Sequence, residues 1–270
     1  DVVIIPAFGA EIAIMDQLQA KGCLFIDTTC GDVMSVWKRV RQYANDSVTS
    51  IIHGKAWHEE TKATSSQARA HGSGHYLVVF TLAETDYVCN YIVHGGNKHD
   101  FLDKFKGAYS DGFDPDVHLR AIGVANQTTM LRGETEEVQR RLRDAMIEKY
   151  GAAELGNHFR FFDTICGATQ DRQDALEKLL REPLNLLIVI GGYNSSNTSH
   201  LAEMGEARLP TYFIIAIVFA GAARLTKGGW WRDLLSCQNR HRRWLFWGVI
   251  IWINHSAASG RKPSSFSWRL

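Results

Sequence analysis

Cysteine is scarce and odd in number, five widely spaced residues in 270, which argues against the disulfide framework of a small secreted domain. No stretch reaches the ~18 consecutive apolar residues of a membrane span, and no segment reads as a secretory signal. Net charge is nearly absent, 30 Lys+Arg against 29 Asp+Glu, so the balance gives no reason to expect nucleic acid as a partner. An initiator Met is lacking too. The opening Asp1-Val2-Val3-Ile4-Ile5 reads as the inside of a strand, and the expectation is a chain whose natural beginning lies upstream. What is present, 45% hydrophobic and 22% charged residues, suffices for one large or two ordinary domains with a proper core in a reducing compartment.

The even balance conceals a break. Residues 216–270 hold nine Lys/Arg and one acid, Asp233, a net +8 that leaves −7 for residues 1–215, and six of the eight Trp lie there. Within this tail the run Trp244–Ile253 is too short to span a bilayer, but with Arg240, Arg242 and Arg243 beside it the run has the composition of a segment lying on a membrane surface. The competing reading is a tail that does not continue the preceding protein at all, as a shifted frame would produce.

Ahead of the tail, apolar runs alternate with helical patterns. Strands are expected at Val2–Ile5, Cys23–Ile26, Ser50–Ile52, Tyr76–Phe80, Tyr87–Val93, Ala121–Ala125, Phe159–Phe162 and Leu184–Ile190. Helices are expected at Ile12–Ala20, Val33–Tyr43, Glu134–Tyr150, Ala168–Arg181 and Thr198–Ala207. Such alternation predicts an α/β fold of parallel sheets with crossover helices, with functional groups at the carboxyl ends of the strands.

Two of those strand ends echo each other. Phe25-Ile26-Asp27-Thr28-Thr29-Cys30-Gly31 and Phe161-Phe162-Asp163-Thr164-Ile165-Cys166-Gly167 agree at five of seven positions, each between a strand and a helix. A helix N-terminus lowers a thiol pKa, which suits a nucleophile or a metal ligand; two buried cysteines in a recurrent packing motif are the plainer alternative. The repeat favours a metal or cluster shared by two similar lobes, although no close CxxC spacing names the metal. Gly191–Asn197 and Asn126-Gln127-Thr128-Thr129 add glycines, amides and hydroxyls before helices. Either is a simple cap or turn alone; together, on one sheet edge, they would make a phosphate site. His53–Thr61 places His58 beside Glu59 and Glu60, a pairing able to bind an anion and move a proton, or simply a solvated loop.

These stretches, with Ile4–Ala10, Gly112–Asp116, Ala125–Leu131, Ala168-Thr169-Gln170 and Asn194–His200, resemble a known family from residue 1 to about 214. The family is that of the iron–sulfur enzyme 4-hydroxy-3-methylbut-2-enyl diphosphate reductase, LytB, in its long plant and cyanobacterial form. Phe8 and Gly31 depart from the family's shorter form or its usual residue without breaking the pattern.

The resemblance implies three α/β lobes in a pseudo-threefold arrangement around a central iron–sulfur site, each giving one Cys. On that pattern residues 1–30 are a partial first lobe, 31–165 a second, 166–215 a partial third and 216–270 an unmatched tail. The implied activity is reductive dehydroxylation of 4-hydroxy-3-methylbut-2-enyl diphosphate to isopentenyl and dimethylallyl diphosphates in the non-mevalonate isoprenoid pathway. The implied cofactor is a [4Fe–4S] cluster, with Cys30 and Cys166 as two ligands and the first ligand upstream of residue 1. Carried over by position, Glu60 is the proton source with Thr128 in its relay, and His58, Thr129, Ser195, Ser196 and Asn197 bind the diphosphate, with Gln127 in the same motif. Cys23, Cys89 and Cys237 match no ligand position. Ferredoxin or flavodoxin is the implied electron donor, and the implied compartment is cytoplasm, or plastid stroma in a plant. With one ligand missing, the chain itself is expected to have little activity. The alternative is a non-redox module that binds phosphorylated small molecules, and a membrane-surface role rests on the tail alone.

Overall fold

The computed structural model describes residues 1–70, 74–162, 165–192, 195–215 and 249–253. Two compact units separate, Asp1–Gln170 and Asp171–Leu270.

The first unit opens with β1 (Val2–Ile5), α1 (Ile12–Ala20) and β2 (Leu24–Asp27), a strand–helix–strand unit with parallel pairing that sets Val2 opposite Leu24. Then follow α2 (Gly31–Asn45), β3 (Thr49–His53), α3 (Glu59–Ala68), β4 (Tyr76–Val79), α4 (Leu82–His94), α5 (Lys98–Lys104), α6 (Pro115–His118), β5 (Ile122–Asn126), α7 (Arg132–Tyr150), α8 (Leu155–His158) and β6 (Phe159–Phe161). The last four strands form one parallel sheet in the order β4-β3-β5-β6.

Every residue of the two central strands, β3 and β5, is buried. That is why their sequences run through apolar and small residues without polar alternation, as strands covered on both faces do. Neighbouring side chains still point to opposite faces. Ile51 and Val124 enter a core with Val88, Phe101, Val138 and Leu142, while Ile52 and Ala125 meet Val36 and Val40 of α2 on the other face. Val138 and Leu142 of α7 are fully buried, each stabilising the fold by roughly 1.5–3 kcal/mol.

Most expected elements lie within a few residues of their observed bounds, but Tyr87–Val93 is not a strand. It is the interior of α4, which Thr81 and Glu84 start with a reciprocal capping box. Thr85, Val88, Tyr91 and Ile92 are its buried residues, a three-and-four spacing that only a helix turns to one side.

After α9 (Gly167–Leu179), the second unit holds β7 (Leu186–Gly191), α10 (Ser196–Glu206), β8 (Thr211–Ile215) and β9 (Val249–Ile253). Its sheet order is β8-β7-β9. β7 pairs in parallel with β8, Leu187 opposite Thr211, but antiparallel with β9, Leu187 opposite Trp252. β9 lies in the 216–270 tail; the strand pairs ahead of the tail are parallel, as expected. Leu176, Leu187, Val189, Leu201 and Ala202 make the small core. The end of the apolar run Trp244–Ile253 is a sheet strand; the rest of the tail, Cys237 included, lies outside the described residues. Among the described residues no helix is long and apolar enough to cross a membrane.

Candidate active site

Chain order reverses between β3 and β5: β3 has β4 on its far side and β5 has β6. In an open parallel sheet the carboxyl ends at such a reversal leave a crevice into which the following loops converge. The last paired residues there are His53 and Asn126.

The two loops are stitched together. The Gln127 N–H donates to the His53 carbonyl at 2.8 Å. Gln127 Oε1 accepts from Thr61 Oγ1 at 3.1 Å and from the Lys55 N–H at 3.2 Å, and its Nε2 donates to Thr129 Oγ1 at 2.8 Å. A Cβ added at Gly54 would lie 2.9 Å from both Gln127 Cβ and Thr61 Oγ1, so the approach of the loops requires glycine.

His58 caps α3, its Nδ1 accepting the Glu60 N–H at 3.2 Å. An accepting Nδ1 leaves the neutral ring's proton on Nε2. Burial, then the nearby Lys55 ammonium, pull the His58 pKa below the ordinary imidazole value, which favours this neutral form. The Phe8 ring meets it edge-on at 6.5 Å.

Glu60 is only 3% exposed. The Thr128 N–H donates to its Oε1 at 2.5 Å and the Thr128 hydroxyl also bonds the carboxyl. Both bonds favour the charged form, but burial outweighs them and holds the carboxyl above the usual range. The same Thr128 residue accepts, at its carbonyl, the Cys166 N–H at 3.3 Å. One residue therefore links a buried acid to the cysteine that precedes α9.

Cys30 is the N-cap residue of α2, with no side-chain capping bond, and its N–H donates to the Ala7 carbonyl at 2.8 Å. Asp27 shapes the turn before it, Oδ1 accepting from the Thr29 N–H at 2.9 Å and the Thr29 hydroxyl at 2.6 Å. The expectation of a lowered thiol pKa fails at Cys166. Burial, followed by a hydrogen bond with the Asp32 side chain, pushes that thiol up, outweighing the backbone N–H groups of Ala168 and Thr169. Asp32 lies two residues beyond Cys30, so this bond brings Cys166 to the start of α2. Asp32 carries no expected role, and Thr61 stands only as the end of the His53–Thr61 stretch; nothing in their spacing reveals partners so distant along the chain. Cys89 is also raised, to about 12, by burial and then by Asp86, and is inert as a nucleophile. Among the described residues no three His, Cys, Asp or Glu side chains group as metal ligands.

The second unit carries the remaining expected residues. Ser195 caps α10, its hydroxyl oxygen accepting from the Thr198 N–H at 3.3 Å and the Thr198 hydroxyl at 2.8 Å, which is the plain capping role. Ser196 Oγ and both amide atoms of Asn197 are buried without a partner. The two polar loops do not share a sheet edge as expected: Asn126–Thr129 follow β5 and Gly191–Asn197 follow β7, strands of different sheets.

The family described as LytB protein matches residues 1–218. The 4-hydroxy-3-methylbut-2-enyl diphosphate reductase of Microcystis aeruginosa is 54% identical over 215 residues, 79% of this chain and 52% of that protein. The enzyme of the same name from Gloeothece citriformis is 55% identical over 204 residues, 76% of this chain and 50% of its own. The chain thus spans about half the length of the curated relatives it matches. The solved E-1-hydroxy-2-methyl-but-2-enyl-4-diphosphate reductase of Plasmodium falciparum shares the fold over 79% of this chain and 55% of its own, at a TM-score of 0.57 and 20% identity.

Proposed function

The chain belongs to the LytB family, and we propose that it carries the proton-delivering half of a 4-hydroxy-3-methylbut-2-enyl diphosphate reductase, yielding isopentenyl and dimethylallyl diphosphates. The observation that carries this reading is the buried Glu60 carboxyl, raised in pKa, held by Thr128 and tied through it to Cys166. Removing a hydroxyl as water requires an acid that is still protonated near neutrality. Anion binding alone needs neither that acid nor the two cysteines, which disfavours the non-redox alternative.

Cys30 and Cys166 fit two ligands of a [4Fe–4S] cluster by donor type and by their places before helices. When bound, the cluster supplies the electrons of the reduction, drawn from a ferredoxin or flavodoxin. Burial, then the Asp32 carboxyl, oppose formation of the Cys166 thiolate that ligation would require.

The chain's own residues supply the protons and the grip. Burial shifts the Glu60 carboxyl toward holding its proton, against the two Thr128 hydrogen bonds, and the Thr128 hydroxyl orients it. His58, with Nδ1 occupied by the Glu60 N–H, has Nε2–H free to donate to a diphosphate oxygen. Thr129 is positioned by Gln127 Nε2; in the second unit, Ser196 and Asn197 offer unpartnered polar atoms to an anion. Ser195 shapes that turn as its cap.

Anaerobic reconstitution of the chain extended by the upstream ligand segment and the family's C-terminal part tests the reading. Iron and sulfide should be taken up, and substrate turned over. Glu60→Gln should cut turnover by at least about a hundredfold, the lower end of general-acid contributions, with iron and sulfide content retained. Persisting turnover would remove Glu60 from its role; an extended chain free of iron and inactive would sink the reductase reading.

A further inference from the structure

We propose that His200 is a further phosphate-binding residue of this protein, its imidazole Nε2 closing with Ser196 and Asn197 on one anion at the start of α10; the inference rests on the reading of that turn as part of a diphosphate site. The starting observation is a concentration of unmet polar atoms. Ser196 is 5% exposed, Asn197 5% and His200 3%, and Ser196 Oγ, Asn197 Oδ1, Asn197 Nδ2 and His200 Nε2 all lack a hydrogen-bond partner. Buried polar atoms are almost always paired, so several without partners on one turn mark a place where a ligand or ordered water belongs.

Their spacing puts them together. Position 200 is four residues beyond 196 and three beyond 197, the separations that share a helix face. A helical side chain leans toward the N-terminus, over the preceding turn. His200 therefore covers the turn that carries Ser196 and Asn197. The first turn contributes a favourable field for an anion, since the helix dipole is positive there. Gly191, at the end of β7, lets the strand abut this turn: a Cβ there would lie 2.3 Å from Thr198 Oγ1.

The other ring nitrogen is already committed. His200 Nδ1 lies 2.8 Å from Glu203 Oε2. A carboxylate only accepts, so Nδ1 carries hydrogen and donates to it. The Glu203 side chain is 55% exposed. A carboxylate on one nitrogen orients the ring. Nε2, the atom without a partner, then faces the anion and donates to it when it carries the ring's second hydrogen. Ser196 Oγ and Asn197 Nδ2 can donate beside it, and an anion with several oxygens, such as a phosphate group, accepts from all three.

The test uses the 270-residue chain, histidine-selective nitrogen labelling and inorganic diphosphate as probe. The expected result is a saturable shift of the His200 Nε2 resonance on titration. Binding should weaken about tenfold or more in His200→Ala, the loss typical of one charge-assisted hydrogen bond, and recover partly in His200→Gln, whose amide restores a donor. Diphosphate that binds with an unmoved His200 resonance overturns the inference, even if His200→Ala is misfolded; if Asn197→Ala also weakens that binding, the reading of the turn as an anion site stands. No saturable binding, with ordered water alone satisfying the turn, overturns both.

Discussion

Glu60 is costly for the fold in its charged form, and that makes it testable apart from any turnover. Burial raises its pKa above the ordinary carboxyl value, against the pull of the two Thr128 hydrogen bonds. A raised carboxyl pKa means that the folded state holds a proton the unfolded chain releases. The stability from the neutral acid is complete below the unfolded value, about 4.3, and is lost as pH rises through the folded one. Glu60→Gln keeps the shape and an Oε1 to accept the Thr128 N–H but cannot ionise. The melting temperature of Glu60→Gln relative to the parent should therefore climb between pH 5 and pH 8, with the variant the more stable at the upper end. A difference that stays flat with pH would mean that water reaches the carboxylate. Glu60, Thr128, Cys30 and Cys166 stand out in the sequence by motif resemblance, and the fold puts Thr128 between Glu60 and Cys166. Asp32 does not stand out, because its hydrogen bond with Cys166 joins residues 134 positions apart and only the folded chain brings them together.

Helix and strand were separable from sequence wherever the period was clear. Val2–Ile5 and Ile12–Ala20 are observed with the expected bounds. Tyr87–Val93 is seven residues of mostly apolar and aromatic character, a window too short to tell a strand from the buried stretch of a helix. The deciding signal lay upstream, in Thr81 and Glu84. Thr81 Oγ1 accepts the Glu84 N–H at 3.2 Å, and Glu84 Oε2 accepts the Thr81 N–H at 3.4 Å and the Phe80 N–H at 2.6 Å. Thr81→Ala removes one side of this box and should cost about 1 kcal/mol in urea unfolding, with no loss from Thr81→Ser. An equal loss in both would show that the threonine methyl, and not the cap, holds the start of α4. Strand order was less legible still. Nothing in the composition of β3 and β5 says that they are neighbours, yet their adjacency creates the crevice in which Gln127 meets Thr61.

The buried clusters among the described residues are of unequal size. In Asp1–Gln170 the larger cluster gathers residues from strands on one face of the four-stranded sheet and from α4, α5 and α7, with fully buried Ile51, Leu77, Val88, Phe101 and Leu142 among them. In Asp171–Leu270 the cluster is Leu176, Leu187, Val189, Leu201 and Ala202. Among the described residues this smaller cluster removes less apolar surface from water, and hydrophobic stabilisation scales with that surface. Single cooperative unfolding is the rule for one core, not for two. Urea unfolding followed by hydrogen exchange should thus show two steps, with β7 and α10 losing protection first. Leu187→Ala should lower the first midpoint by the equivalent of about 2–5 kcal/mol and leave the second in place, and Leu142→Ala should do the reverse. One transition displaced equally by both substitutions would mean that the two units unfold as a single body, and that the Ser196–Asn197 turn depends for its stability on the same core as Glu60.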